Sequence, residues 1–104
     1  MKEITAQELK TLIDSKANFQ LIDVREPHEF DEVNINGELI PMGDVMDNLD
    51  KIAKDKQVVV HCRSGKRSAA VIQALEAEGY NNLYNLKGGI VAYAKEVDES
   101  LPVY

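Results

Sequence analysis

The chain has one cysteine, no tryptophan and three prolines in 104 residues. A lone cysteine excludes an internal disulfide and a structural zinc cluster of the usual multi-cysteine kind. No stretch approaches the ~18 apolar residues that a membrane crossing needs. The opening residues, Met1 to Lys10, lack the apolar core of a secretory signal. The expectation is a soluble, cytoplasmic protein in a reducing compartment, with no membrane partner. Basic charge is also scarce: 12 Lys and Arg against 18 Asp and Glu give a net charge of −6. Nucleic acids and anionic membranes are gripped mainly by Lys and Arg on phosphate, so no nucleic-acid partner is expected. No His, Asp and Glu cluster has metal-ligand spacing. Gly88-Gly89 lacks the G-x-G-x-x-G spacing of a nucleotide loop and reads as a turn. No metal and no cofactor are expected.

What is present is the balance of a folded core. Hydrophobic residues make up 44% and charged residues 29%. A chain this long buries roughly 60–70% of its unfolded surface, enough for a single domain over residues 1–104. Apolar β-rich runs alternate with helical patterns, which argues for an α/β fold with a mainly parallel sheet. Ile4 begins a short strand. Thr5 with Glu8 forms a capping box before Leu9, Leu12 and Ile13, which share one helix face. Phe19 to Val24 reads as a buried strand. Pro27 opens a short helix through Phe30, and Leu39 to Pro41 is a short strand. Val45, Leu49, Ile52 and Ala53 repeat with helical period. Gln57 to His61 contains Val58-Val59-Val60, the β-branched run of a central parallel strand. From Arg67 to Glu78, Ala70, Val71, Ala74 and Leu75 make a helical stripe that Gly79 closes. Asn82 to Leu86 is the last strand, and a short helix spans Ile90 to Val97.

The cysteine sits at the most informative place. Cys62 ends the strand of valines, and a helix starts about five residues later. Three of the twelve basic residues, Arg63, Lys66 and Arg67, lie in between. In parallel α/β sheets, ligands bind at the carboxyl ends of strands. A loop there can curl its amide hydrogens inward towards a helix N-terminus and make an anion cradle. Gly65 permits the backbone angles such a curl needs. Helix N-termini and neighbouring cations lower a thiol's pKa, so the combination predicts a nucleophilic sulfur in a pocket for small anions. The plainer alternative is a lone cysteine serving as a small buried hydrophobe, with solvated charges beside it. The conjunction of strand end, basic loop and helix start favours the nucleophile.

Cys62-Arg63-Ser64-Gly65-Lys66-Arg67-Ser68 resembles the active-site loop of the rhodanese family of sulfurtransferases. Leu21 to Phe30 resembles that family's first signature, Ile40-Pro41 the strand after it, and Asn85 to Ile90 its closing signature. The resemblance covers nearly the whole chain. It implies a five-stranded, mostly parallel sheet with helices on both faces, and a cysteine that cycles through a persulfide. It further implies a small anionic sulfur donor such as thiosulfate, and a thiol, cyanide or protein as acceptor. By the same resemblance Cys62 is the nucleophile, while Arg63, Ser64, Gly65, Lys66, Arg67 and Ser68 bind substrate. Arg63 and Lys66 are the expected partners of the donor's sulfonate. Asp23, Arg25 and Glu26 are expected as supports behind the loop, with Arg67 either meeting the donor or tying the loop to Asp23 or Glu26. For the Asp23 and Arg25 pair, the alternative is a surface ion pair of little value.

Two departures stand out. Val33-Asn34-Ile35 replaces a common Gly-His-Ile, and Tyr93 stands where a Trp is common. His61 precedes Cys62, so strand alternation turns it to the opposite side and argues against a general-base role. His28 reads as solvated, and the acidic run from Asp44 to Asp50 as a solvated helix face. Three other functions compete. Phosphatase and arsenate reductase loops place one more residue between Cys and Arg than the four found here, and the shorter ring favours a single sulfur. A thiol redox protein would lack a second cysteine to resolve Cys62. A non-catalytic sulfur relay or interaction module remains open. The tail from Val97 to Tyr104 resembles those of rhodanese domains fused to enzymes that activate sulfur-carrier proteins.

Overall fold

The computed structural model describes residues 1–103. Five strands form one sheet: β1 (Glu3–Ile4), β2 (Phe19–Asp23), β3 (Glu38–Leu39), β4 (Gln57–His61) and β5 (Leu83–Leu86). Their order across the sheet is β1-β5-β4-β2-β3, and every pairing is parallel. Parallel neighbours need crossovers. Three of these are helices: α1 (Ala6–Asp14), α2 (Pro27–Glu32) and α3 (Lys66–Ala77), and α4 (Gly89–Glu96) follows the last strand.

Strand alternation sorts the core into two layers. Ile22, Val58, Val60 and Leu83 face α3, where Val71, Ile72 and Leu75 cover them. Val59 and Leu86 face the other way, towards Leu9 of α1 and Ile90 and Tyr93 of α4. Central strands β2, β4 and β5 are therefore covered on both sides, as the valine run of β4 predicts. Tyr93, in the place of the family's Trp, is buried in the second layer. The N-cap of α1 forms as read: Thr5 Oγ1 accepts from Glu8 N, and Glu8 Oε1 accepts from Thr5 N. No helix among the described residues is long and apolar enough to cross a membrane.

Three local expectations need correction. The segment expected as a helix over Val45 to Ala53 is two tight 3-10 turns, Met42–Asp47 and Leu49–Lys51. Asn48, between them, breaks the longer helical repeat, while Val45 and Ile52 still reach the core. In α3 the buried stripe is Ser68, Val71, Ile72 and Leu75, whereas Ala70 and Ala74 are exposed. A serine holds the inner position because the site gives its hydroxyl partners. In α1, Leu9 is fully buried but Ile13 is exposed, lying at the rim of an open cleft with Phe19, Gln20 and Leu21 of β2.

Candidate active site

The site lies at the carboxyl ends of β2, β4 and β5. Cys62 follows β4 directly and is buried on the α3 side with Val58 and Val60. Its Sγ accepts from Gly65 N at 3.1 Å and from Ser68 N at 3.4 Å, and lies 3.4 Å from Ser68 Oγ. Two amides and a hydroxyl thus converge on one sulfur. Gly65, the N-cap of α3, has φ +107°, which turns its amide inward where a side chain would be strained. Burial raises the Cys62 pKa. The Ser68 hydroxyl and the amides of Ser68, Gly65 and Ser64 outweigh it and bring the thiol below its ordinary value.

The outer wall of this cradle is held by the N-terminus of α4. Ile90 N donates to Cys62 O at 3.0 Å, and Val91 N donates to Arg63 O at 3.1 Å. In a trans peptide the carbonyl and the following amide hydrogen point opposite ways. Pinning these two carbonyls on α4 therefore turns the amides of Arg63 and Ser64 back towards the loop interior. The approach is close enough to demand glycine: a Cβ on Gly89 would sit 2.3 Å from Arg63 O. The Gly-Gly read as a plain turn is a clamp on the active-site loop.

The candidate residues fall into different places. Arg63, Ser64 and Lys66 are exposed around Cys62, which is itself only 1% exposed. Arg63 also lines a cavity of about 110 Å³ with Arg25, Glu29, Val33 and Pro102. Asp23 and Arg25 are buried, at 0% and 2% exposure. They are bidentate, with Arg25 Nε and Nη2 donating to Asp23 at 3.0 and 2.8 Å, and Arg25 Nη2 also reaches Val33 O at 2.7 Å. The surface-pair alternative does not apply to them. Removing one partner of a buried pair strands the other charge. His61 points away from the sulfur into this group, with Nε2 3.5 Å from Asp23 Oδ2. Burial pushes its pKa down, against the pull of Asp23.

Arg67 is tied neither to Asp23 nor to Glu26. It grips Glu29 with both terminal guanidinium nitrogens, Nη1 and Nη2, at 2.6 and 3.0 Å. Glu26 is exposed, and its contribution is its main-chain amide, which donates to Glu29 Oε1 at 3.0 Å. Arg67 and that amide hold the Glu29 carboxyl at about 2, well below the usual range. Glu29 was missed, although its place three residues after the N-cap of a Pro-opened helix is the signal for an inward carboxylate. Asn85 was missed too. It joins the loop to β5 through Ser68 Oγ at 2.6 Å and Gly65 O at 3.1 Å.

The family model for the rhodanese-like domain matches residues 5–96. This chain belongs to that family. A sulfurtransferase from Allochromatium vinosum is 34% identical, with the match covering 91% of this chain and 90% of that protein. MoeZ of Mycobacterium tuberculosis is 38% identical over 97% of this chain, which spans only 26% of its length. The crystal structure of a rhodanese-like domain protein from Staphylococcus aureus superposes with a TM-score of 0.84 at 36% identity, covering 100% of this chain and 99% of that one. The rhodanese-like fold is therefore established for this sheet and its helices, and sulfur transfer is the class of chemistry its relatives support.

Proposed function

We propose that this rhodanese-like domain, a single cytoplasmic unit over residues 1–104, moves sulfane sulfur through a persulfide on Cys62. The observation that carries the reading is the convergence of Gly65 N and Ser68 N on Cys62 Sγ at the start of α3. The thiolate attacks the outer sulfur of a donor such as thiosulfate. A new S–S bond forms, the donor's own S–S bond breaks, and sulfite leaves with the electron pair. A nucleophilic acceptor then takes the outer sulfur, and Cys62 returns as thiolate. Cyanide serves in an assay, and a thiol or a protein in the cell. The amides stabilise negative charge on the persulfide. Among the described residues Arg63 and Lys66 form no ion pair and can meet the sulfonate, whereas Arg67 orients the loop through Glu29. Asp23 and Arg25 brace the loop from behind.

Intact mass measured after thiosulfate, and again after cyanide, tests this. The expected outcome is a gain of one sulfur atom that cyanide removes as thiocyanate, and no gain in Cys62→Ser. Absence of the adduct, or its persistence in Cys62→Ser, would falsify the mechanism. Hydrolysis of a small aryl phosphate is expected to be negligible, because four residues separate Cys62 from Arg67.

A further inference from the structure

Asn85 occupies a strand position that belongs to the core. Leu83, two residues earlier, lies in the layer beneath α3, and Asn85 pairs in register with Val60. It is 5% exposed. Its Nδ2 donates to Gly65 O, and its Oδ1 accepts from Ser68 Oγ. These roles are forced. A carbonyl only accepts, so the amino side must face Gly65, and the oxygen side is left for Ser68. The Ser68 hydroxyl has one hydrogen, and the 2.6 Å contact takes it. Towards Cys62 Sγ, 3.4 Å away, Ser68 then presents lone pairs. It can accept from S–H, but it can donate to a thiolate only by leaving Asn85.

We propose that Asn85 is a positioning residue for the sulfur chemistry: it competes with Cys62 for the single hydroxyl hydrogen of Ser68. The proposal deepens, and rests on, the nucleophilic-thiol reading above. In the resting thiol, the hydrogen bonds run from Sγ–H to Ser68 Oγ and from Ser68 O–H to Asn85 Oδ1. When the thiol proton leaves for solvent, the hydroxyl turns to the sulfur and Asn85 Oδ1 loses its donor. Ser68 therefore supports the thiolate less while Asn85 is present than it would with that competing oxygen gone. The second Asn85 contact, to Gly65 O, keeps the cradle closed during this exchange.

The test is the thiolate's ultraviolet absorbance against pH in the full chain, with Cys62→Ser as blank. Four proteins are compared: unmodified, Ser68→Ala, Asn85→Leu and the double variant. Ser68→Ala raises the ionisation midpoint slightly in the unmodified background. In the Asn85→Leu background it raises it by about half a pH unit more, roughly threefold in ionisation constant. Loss of the Gly65 contact is common to both Leu proteins and cancels. The charged and titratable groups around the sulfur are Arg63 of the loop, Lys66 and Arg67 of α3, Asp23 of β2, Arg25 just beyond it, and His61 of β4. All are unchanged across the four proteins. Equal shifts in the two backgrounds, or a larger one in the unmodified protein, overturn the proposal. Asn85→Ala replaces Asn85→Leu if the latter does not fold. Asn85→Asp keeps the competing oxygen and must retain the small Ser68→Ala shift; a shift as large as in the apolar variant also overturns it. No sulfur donor is present, so a chain that forms no persulfide still shows or lacks the coupling, and the two readings fail separately.

Discussion

The turn from β4 into α3 and the turn from β5 into α4 both end on a left-handed glycine, Gly65 and Gly88. Neither helix has a side-chain cap or an acidic residue in its first turn. Each therefore begins with amide hydrogens that need partners. At α3, Gly65 N and Ser68 N go to the sulfur of Cys62. At α4, Ile90 N and Val91 N go to the carbonyls of Cys62 and Arg63. One helix end faces the chemistry, and the other is consumed in holding the first in shape. The longer turn, Cys62 to Gly65, has residues to curl around a ligand atom. The shorter one, Lys87 and Gly88, brings its helix straight against its neighbour.

The strongest way to break this division is at the clamp. A methyl group on Gly89 would lie 2.3 Å from Arg63 O and 2.7 Å from Cys62 O, and neither backbone atom can swing aside as a side chain would. Gly89→Ala is expected to cost about 2–4 kcal/mol of stability in urea denaturation. Under folding conditions it should also lower sulfur transfer by roughly tenfold or more, since displaced carbonyls misalign the amides behind them. Gly43→Ala, where nothing lies within 4 Å, is the control and should change neither. If Gly89→Ala kept full transfer while losing stability, α4 would be a support for the sheet and not for the loop.

Gly65→Ala sharpens the contrast. The nearest atoms to its added Cβ are 3.8 Å away, so there is room, and the penalty is the strain of φ +107°. That strain is about 1–2 kcal/mol, less than at Gly89. Transfer should nevertheless fall, because relaxing φ rotates the amide that donates to Cys62 Sγ. Activity and stability thus separate at Gly65 and move together at Gly89. Urea midpoints set beside initial rates of thiocyanate formation read this directly.

The same contrast explains what could be read from the chain itself. Val58-Val59-Val60 declared a strand buried on both faces, and a basic, glycine-containing turn after it declared an anion cradle. Both depend on residues adjacent in sequence. The clamp does not. Nothing local in Gly88-Gly89 says that another loop's carbonyls lie against it, since that contact joins residues more than 25 apart. The choice of Glu29 over Glu26 as the partner of Arg67 is of the same kind. Both are acidic and close in sequence, and only the docking of α2 beside α3 decides. Ser68 and Asn85 were hidden differently. Each is a polar residue at a core position, which reads as noise until the two are seen to bond each other across the layer. An asparagine between Leu83 and Leu86 in a strand this buried was the available signal.

The smallest expected effect lies at the side-chain anchor of α3. Where main-chain hydrogen bonds hold α4 to the loop, Arg67 in the first turn of α3 is held by the Glu29 side chain. The Glu29 carboxyl falls from 4.5 to about 2 on folding. A depressed carboxylate contributes stability above its unfolded value and loses it as pH falls through the folded one. The pair is partly exposed, at 34% and 20% for the two side chains, so screening reduces its worth to about 1 kcal/mol. Glu29→Gln should therefore be less stable than the unmodified protein by that amount near neutrality. The gap should close as pH drops from 4.5 towards 2, measured as urea midpoints across that window. Sulfur transfer at neutral pH should fall by only a few-fold, because the amides on Cys62 come from the backbone and α4 still pins the loop. A gap that stayed constant with pH would mean that Glu29 works through its shape. A collapse of activity as large as that at Gly89 would mean that α3, too, is held in place chiefly by what reaches it from outside.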